Sequence, residues 1–170
     1  MPLDMIDIRR PGQDDYAVMA NILVDGWRVA YKDIVADDYL QNLSTEHFCR
    51  RMTENKKDNA FLVAKANNEV VAFCRYSLHI PLDEQDGFDG AISELYVKPD
   101  LKHNGIGTEL FKRVMQDFKQ NGNSCVILGC FSQNSPSLAF YEKMGGKFIY
   151  EKDIEIGGVA YSTAFYQFKL

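Results

Sequence analysis

The spacing of apolar and polar positions changes period several times along this chain, and each change predicts an element. Between Ala91 and Phe118 the sequence AISELYVKPDLKHNGIGTELFKRVMQDF opens with a short β-prone run, Ile92, Leu95 and Val97 with Tyr96, which predicts an inner strand. Pro99 and Asp100 end it, because proline donates no ladder hydrogen bond and aspartate favours turns. Asn104-Gly105-Ile106-Gly107-Thr108 then leads into a helix with Ile106, Leu110, Val114 and Phe118 on one face. Phe111 and Met115 widen that stripe, and Glu109, Lys112, Arg113, Gln116 and Asp117 lie opposite. Asn121-Gly122 closes the helix, since glycine accepts the left-handed backbone just past a helix end.

The rest of the chain reads in the same way. Met5–Arg9 alternates and predicts a first strand, and Asp14 is placed to cap a helix carrying Tyr16, Ala20, Leu23, Trp27 and Ala30. Residues 31–43 predict a loop with a short helix, and Ser44 or Thr45 caps a more polar helix reaching about Asn55. Ala60–Ala66 and Val70–Leu78 predict a hairpin turning at Asn67-Asn68, residues that tolerate positive φ. Pro81–Gly90 is acidic and turn-rich, an exposed loop. Cys125–Cys130 is apolar throughout, which predicts a strand covered on both faces. Ser135-Pro136 starts another helix, with proline at its favoured first position. Lys147–Tyr150 and Tyr161–Tyr166 predict a closing hairpin around Gly157-Gly158. The order β-α-α-β-β-β-α-β-α-β-β predicts an α/β fold, a mixed sheet with helices on both faces. No repeat or low-complexity segment divides the 170 residues, so one domain is expected over 1–170.

Composition narrows the function classes. A net charge of −5 disfavours a nucleic-acid surface, and no run approaches the roughly 20 apolar residues of a membrane span. The N-terminus lacks a secretory apolar core. Cys49, Cys74, Cys125 and Cys130 show no C-x-x-C spacing and no nearby histidine pair, so no metal site is expected and a reducing, cytoplasmic setting is.

A strand, a glycine-bearing turn and a helix N-terminus together form an anion site, because the first helical N–H groups lack internal partners and glycine lets a phosphate approach. Gly107 is followed directly by Thr108, which excludes the Walker loop, and Leu110 stands where a dinucleotide fingerprint needs its third glycine. What remains resembles the acyl-CoA pyrophosphate loop of the GNAT superfamily of N-acyltransferases, Arg/Gln-x-x-Gly-x-Gly/Ala after a strand. Here it reads Lys102-His103-Asn104-Gly105-Ile106-Gly107, with Lys102 keeping a cation but losing the fork geometry of arginine. A second segment, Asn134-Ser135-Pro136-Ser137-Leu138-Ala139-Phe140-Tyr141-Glu142-Lys143-Met144-Gly145-Gly146, is similar to the family's Asn-x-x-Ala/Ser-x-x-Phe/Leu-Tyr-x-x-x-Gly-Phe. The resemblance implies a single-domain, mostly antiparallel mixed sheet of about seven strands, splayed between the fourth and fifth, here 92–97 and 125–130. It implies that acetyl-CoA, as cosubstrate, lies against Leu95, Tyr96, Val97, Lys102, His103, Asn104, Gly105, Ile106, Gly107, Thr108, Asn134, Ser137 and Tyr141.

Acetyl transfer to an amine needs a neutral nucleophile, a stabilised oxyanion and a proton for the departing thiolate. Glu94 lies in the organising strand, where a carboxylate is costly to bury; it either faces a wet cleft or pairs with a surface cation. The resemblance gives it the role of base acting through water, and gives Tyr141 the role of thiolate acid; Tyr141 equally suits a core. His103 is expected to offer its backbone rather than its imidazole, and His79 to line the acceptor cleft or sit on the surface. The implied function is transfer of acetyl from acetyl-CoA to a small-molecule primary amine or peptide N-terminus in a ternary complex. The alternative is a non-catalytic acyl-CoA sensor or interaction module. The acceptor is expected to enter past residues 31–38, the acidic loop Asp83, Glu84, Asp86 and Asp89, or the Gly157-Gly158 turn.

Overall fold

Two apolar stripes with different partners build the molecule as helices on either side of one sheet. The structure, a computed structural model, describes residue 2 and residues 5–54, 59–81 and 86–170. Its elements are β1 (Ile6–Arg9), α1 (Asp15–Ala30), α2 (Asp37–Gln41), α3 (Thr45–Glu54), β2 (Ala60–Ala66), β3 (Glu69–Ser77) and β4 (Gly90–Val97), followed by α4 (Ile106–Gln120), β5 (Cys125–Phe131), α5 (Ser135–Lys143), β6 (Lys147–Ile156) and β7 (Val159–Lys169). The strands form one sheet in the order β1-β2-β3-β4-β5-β7-β6. The β4–β5 pair is parallel and the others are antiparallel. This is the expected mixed α/β fold.

The α4 stripe, Ile106, Leu110, Val114 and Phe118, packs on one face against Leu62, Cys74, Tyr76, Ile92 and Val126, joined by Tyr141 of α5. On the opposite face Met19 and Leu23 of α1, with Phe48 and Met52 of α3, cover Phe61, Val63 and Phe73. Each stripe recurs every three or four residues, so one side of each helix is buried and the other stays polar.

Three local expectations are corrected. Asp14 does not cap α1: its backbone is already helical, at φ −76° and ψ −12°, and its side chain makes no cap bond. Asp15 instead reaches back to accept from the Gly12 N–H at 2.7 Å. The middle of the strand β5 is covered on one face only. Val126 and Leu128 are buried under α4 and α5, whereas Ile127 is half-buried and Gly129 exposed. The α1–α3 cluster lies over β2 and β3 and reaches β4 through Tyr96, which leaves Ile127 and Gly129 without a helix above them, although Phe131 at the end of β5 packs on Trp27 of α1. The closing hairpin is longer than its apolar core suggested, because a ladder holds through Glu155↔Ala160 with alternately charged residues. Asn55, Asp83 and Glu84 lie outside the described residues. The Asn67-Asn68 turn stands as expected, with φ of 50° and 65°.

One ion pair locks the start of α1 to the sheet: Lys65 on β2 meets Asp15 at 2.8 Å, with both side chains nearly enclosed. Burial pushes the Asp15 carboxyl up, but Lys65 and the Gly12 N–H together hold it below the usual carboxylate range. Its stabilising contribution is therefore fully present above the unfolded-state pKa and is lost as pH falls through the lower folded value. Asp15→Ala leaves Lys65 an uncompensated buried cation and is expected to cost about 3 kcal/mol in urea unfolding at pH 7. The difference between wild type and variant should shrink in acid; an equal difference at all pH values would show that the charge plays no part.

Candidate active site

The parallel pairing of β4 with β5 lasts only from Gly90↔Val126 to Ile92↔Leu128. Beyond Ile92 the strands part, and a cleft of about 590 Å³ opens between them. The two ends of β4 thus differ in kind. At the closed end Asp89 accepts from the Ser124 N–H at 2.8 Å, the Ser124 hydroxyl at 2.9 Å and the Cys125 N–H at 3.1 Å. Desolvation raises the Asp89 carboxyl, but these donors outweigh it and lower its pKa overall. That contact corrects one expectation: the described end of the acidic loop is tied to the closed end of the strand, away from the cleft.

At the open end, the loop before α4 carries two left-handed residues, His103 at φ 66° and Gly105 at φ 78°. Gly105 is the N-cap of α4 and no side chain caps the helix, so the leading N–H groups face outward unpaired. A Cβ on Gly107 would meet nothing closer than Val97 Cγ2 at 3.5 Å, so glycine is not required there by the protein's own packing. Of the sequence-predicted residues, Glu94, Leu95, Tyr96, Val97, Lys102, His103, Gly105, Ile106, Gly107, Thr108, Asn134, Ser137 and Tyr141 all line the cleft. Asn104 does not: its amide donates to the carbonyls of Leu101 at 3.1 Å and Lys102 at 3.2 Å, holding the loop in shape. His79 is exposed and lies off the cleft.

The cleft also gathers Gly129, Cys130 and Lys143, which the sequence did not single out, and Tyr31, the first residue of the expected acceptor segment 31–38. The Tyr31 hydroxyl meets that of Tyr96 at 3.1 Å. Burial pushes the Tyr31 hydroxyl up to about 12 and raises those of Tyr96 and Tyr141 well above their ordinary value, so all three stay protonated at neutral pH.

Glu94 lines the cleft as expected, but its side chain is largely enclosed and its cation partner is not at the surface. It stands opposite Arg75 of β3, after a bulge that leaves Ser93 outside the register, and Arg75 Nη2 donates to Glu94 Oε1 at 3.1 Å. Burial raises the Glu94 carboxyl, against the pull of Arg75 and Arg51. Arg75 was missed by the sequence reading, although a lone arginine within the apolar run VVAFCRYS was the available signal.

The outer rim joins two of the three expected segments. Phe131 at the end of β5 packs with Trp27, Tyr31 and Tyr161. The Tyr161 hydroxyl accepts from the Ala36 N–H at 3.3 Å, and Tyr39 lies against Gly157. Among the described residues no three His, Cys, Asp or Glu side chains gather as a metal site, and no helix is long and apolar enough to cross a membrane.

Residues 17–146 match the family model described as the acetyltransferase (GNAT) family. An uncharacterized N-acetyltransferase of Bacillus subtilis is 27% identical over 156 residues, covering 91% of this chain and 88% of its own. The spermidine N(1)-acetyltransferase of Thermoplasma acidophilum is 24% identical over 165 residues, 88% and 98% of the two chains. Among solved structures, the PaiA N-acetyltransferase of Thermoplasma acidophilum in complex with coenzyme A superposes with a TM-score of 0.74 at 22% identity, covering 97% of this chain and 99% of that one. The ribosomal-protein-alanine N-acetyltransferase of Brucella melitensis gives 0.75 at 19% identity, over 96% and 99%.

Gly26 of α1 is fitted to this site, since an added Cβ would stand 2.8 Å from Tyr96 Cδ1. Alanine is the better helix former, yet Gly26→Ala is expected to lower stability by about 1–2 kcal/mol because the Tyr96 ring has to move. A urea midpoint equal to or above that of wild type would show that Tyr96 is not held by this contact.

Proposed function

The chain belongs to the acetyltransferase (GNAT) family, and from that premise we propose that it moves the acetyl group of acetyl-CoA onto a primary amine by direct attack within a ternary complex. The observation that carries this reading is the cleft itself. One end offers uncapped helix amides beside a glycine turn, the middle offers unpaired β4 backbone, and Glu94 and Tyr141 both line it.

The pyrophosphate would lie on the N–H groups at the start of α4, where the helix dipole adds about half a positive charge, with Lys102 as an outer cation. The pantetheine arm would replace β5 as the hydrogen-bonding neighbour of β4 along Leu95, Tyr96 and Val97, with Asn134 and Ser137 across the cleft. Free β4 amides beyond Ile92 would steady the oxyanion as the amine nitrogen attacks the thioester carbon. Glu94 takes the amine proton through water, and the Tyr141 hydroxyl, kept protonated by burial, donates one to the departing thiolate. The acceptor enters at the rim formed by residues 31–38 and the Gly157-Gly158 turn, where exposed Asp33, Asp37 and Asp38 favour a cation. The similarity to a spermidine acetyltransferase supports an amine acceptor. Four free thiols support a cytoplasmic setting.

Gly107→Val fills space that only the cofactor needs, so the variant is expected to fold normally while CoA affinity falls at least about tenfold by calorimetry. Lys102→Ala should weaken CoA modestly, with a smaller loss at high salt. Unchanged affinity in folded Gly107→Val would remove the assignment.

Glu94→Gln is expected to lower kcat/KM by about 10²–10⁴-fold, most at low pH and least as pH nears the amine's own pKa, where free amine no longer needs a base. Tyr141→Phe should lower kcat with little change in acetyl-CoA binding. Losses of only a few-fold in both, followed by thiol release across pH, would point to solvent as the proton carrier.

A further inference from the structure

The pairing of Glu94 is lopsided. Only Oε1 is engaged, by Arg75 Nη2 at 3.1 Å, whereas a guanidinium fork facing a carboxylate is able to make two parallel bonds. Among the described residues, Glu94 Oε2 and Arg75 Nε are the buried side-chain polar atoms left without a partner. Both residues line a cavity of about 10 Å³, walled by Leu23, Phe48, Met52 and Phe61 and edged by Arg51. Glu94 also lines the large cleft on its other side. The carboxylate is therefore anchored through one oxygen, while the second is buried and free of any hydrogen-bond partner.

Two charged groups face Glu94, Arg75 from β3 and Arg51 from α3. The neutral titratable groups that feel it are Cys74 of β3, Tyr96 of β4 and Tyr31 at the end of α1. Arginine stays protonated throughout the working pH range. If Glu94 took a proton at rest, Arg75, whose side chain is 20% exposed, would become a largely enclosed cation without its counter-charge. The two charges are therefore kept together.

We propose that Arg75 is a positioning residue for the amine-deprotonating step: it holds Glu94 ionised in an enclosed site, fixes it through Oε1, and leaves Oε2 as the oxygen that receives the proton. This rests on reading Glu94 as the base, and goes beyond it by assigning the residue that makes an enclosed carboxylate basic yet unprotonated near neutral pH. Removing the guanidinium leaves burial unopposed except by the more distant Arg51, so the Glu94 carboxyl should titrate at higher pH. Arg75→Lys keeps the cation and should largely preserve it.

The test follows the Glu94 carboxyl directly, by ¹³C NMR with Glu94→Gln used to assign its signal, alongside the pH dependence of kcat/KM. In wild type the carboxyl should be ionised at pH 7. In Arg75→Gln its titration should move up by at least about one pH unit, with kcat/KM about tenfold lower on the acid side, little change on the alkaline side and an unchanged KM for acetyl-CoA. Arg75→Lys should restore most of the acid-side rate. A carboxyl that titrates identically in wild type and Arg75→Gln overturns the proposal. So does a wild-type carboxyl still protonated at pH 7, a result readable even if Arg75→Gln fails to fold. If the carboxyl shifts but the acid limb of kcat/KM does not follow, Glu94 as base fails while the control of its charge by Arg75 stands.

Discussion

A backbone amide without a partner is costly inside a protein, and this fold is arranged around a place where several are left that way. The β4–β5 ladder ends after Ile92↔Leu128, and nothing in the sheet replaces β5 along the rest of β4. The start of α4, which follows the same strand, has no side-chain cap. Strand and helix therefore present unsatisfied donors into one cleft. That constraint explains why the closed end is fastened so firmly: Asp89 ties the start of β4 to Ser124 and Cys125. A parallel pair only three residues long needs such an anchor if its far end is to stay apart.

The two helical layers divide the work. The α4–α5 layer supplies the larger core and carries the uncapped helix end. The α1–α3 layer shields the side of β4 from which Tyr96 and the Glu94–Arg75 pair are reached. Glu94 thus meets the cleft on one side and an enclosed, partly cationic environment on the other. Enclosure alone would neutralise it and full hydration would leave it an ordinary weak base. The pairing with Arg75 lies between those limits.

Much of this was legible in the sequence where a local rule decides the outcome. The α4 stripe, the Asn67-Asn68 turn and the Gly157-Gly158 turn follow from periodicity and from residues that accept positive φ. The glycine loop was recognisable because a helix start open to backbone approach favours glycine, and the Asn134–Gly146 segment through its resemblance to the family's second segment. What was not legible depends on contacts distant in the chain. Arg75 and Glu94 are separated by 19 positions and meet only through the β3–β4 register, which a bulge at Ser93 sets. The uncovered stretch in the middle of β5 depends on how far α1 and α3 reach across the sheet, which no property of CVILGC encodes. The placing of Asp89 depends on which end of a parallel pair opens. Asp14 was a plausible cap by residue type, but its backbone is already helical and the neighbouring Asp15 turns back to Gly12 and Lys65 instead.

The turn before α4 is built from main chain: an uncapped helix end, a left-handed Gly105, and an Asn104 amide turned inward to brace the loop. Main-chain atoms are indifferent to most side-chain changes, so the turn depends on the residues that accept its left-handed backbone, His103 and Gly105, more than on any side-chain chemistry. The opposite rim is made of side chains drawn from residues far apart in the chain, Tyr31, Tyr39, Phe131 and Tyr161, each replaceable without disturbing the turn. The molecule thus sets a turn made of main chain beside a rim made of side chains. Side-chain changes at the rim can therefore reshape that end of the cleft without touching the atoms that form the turn.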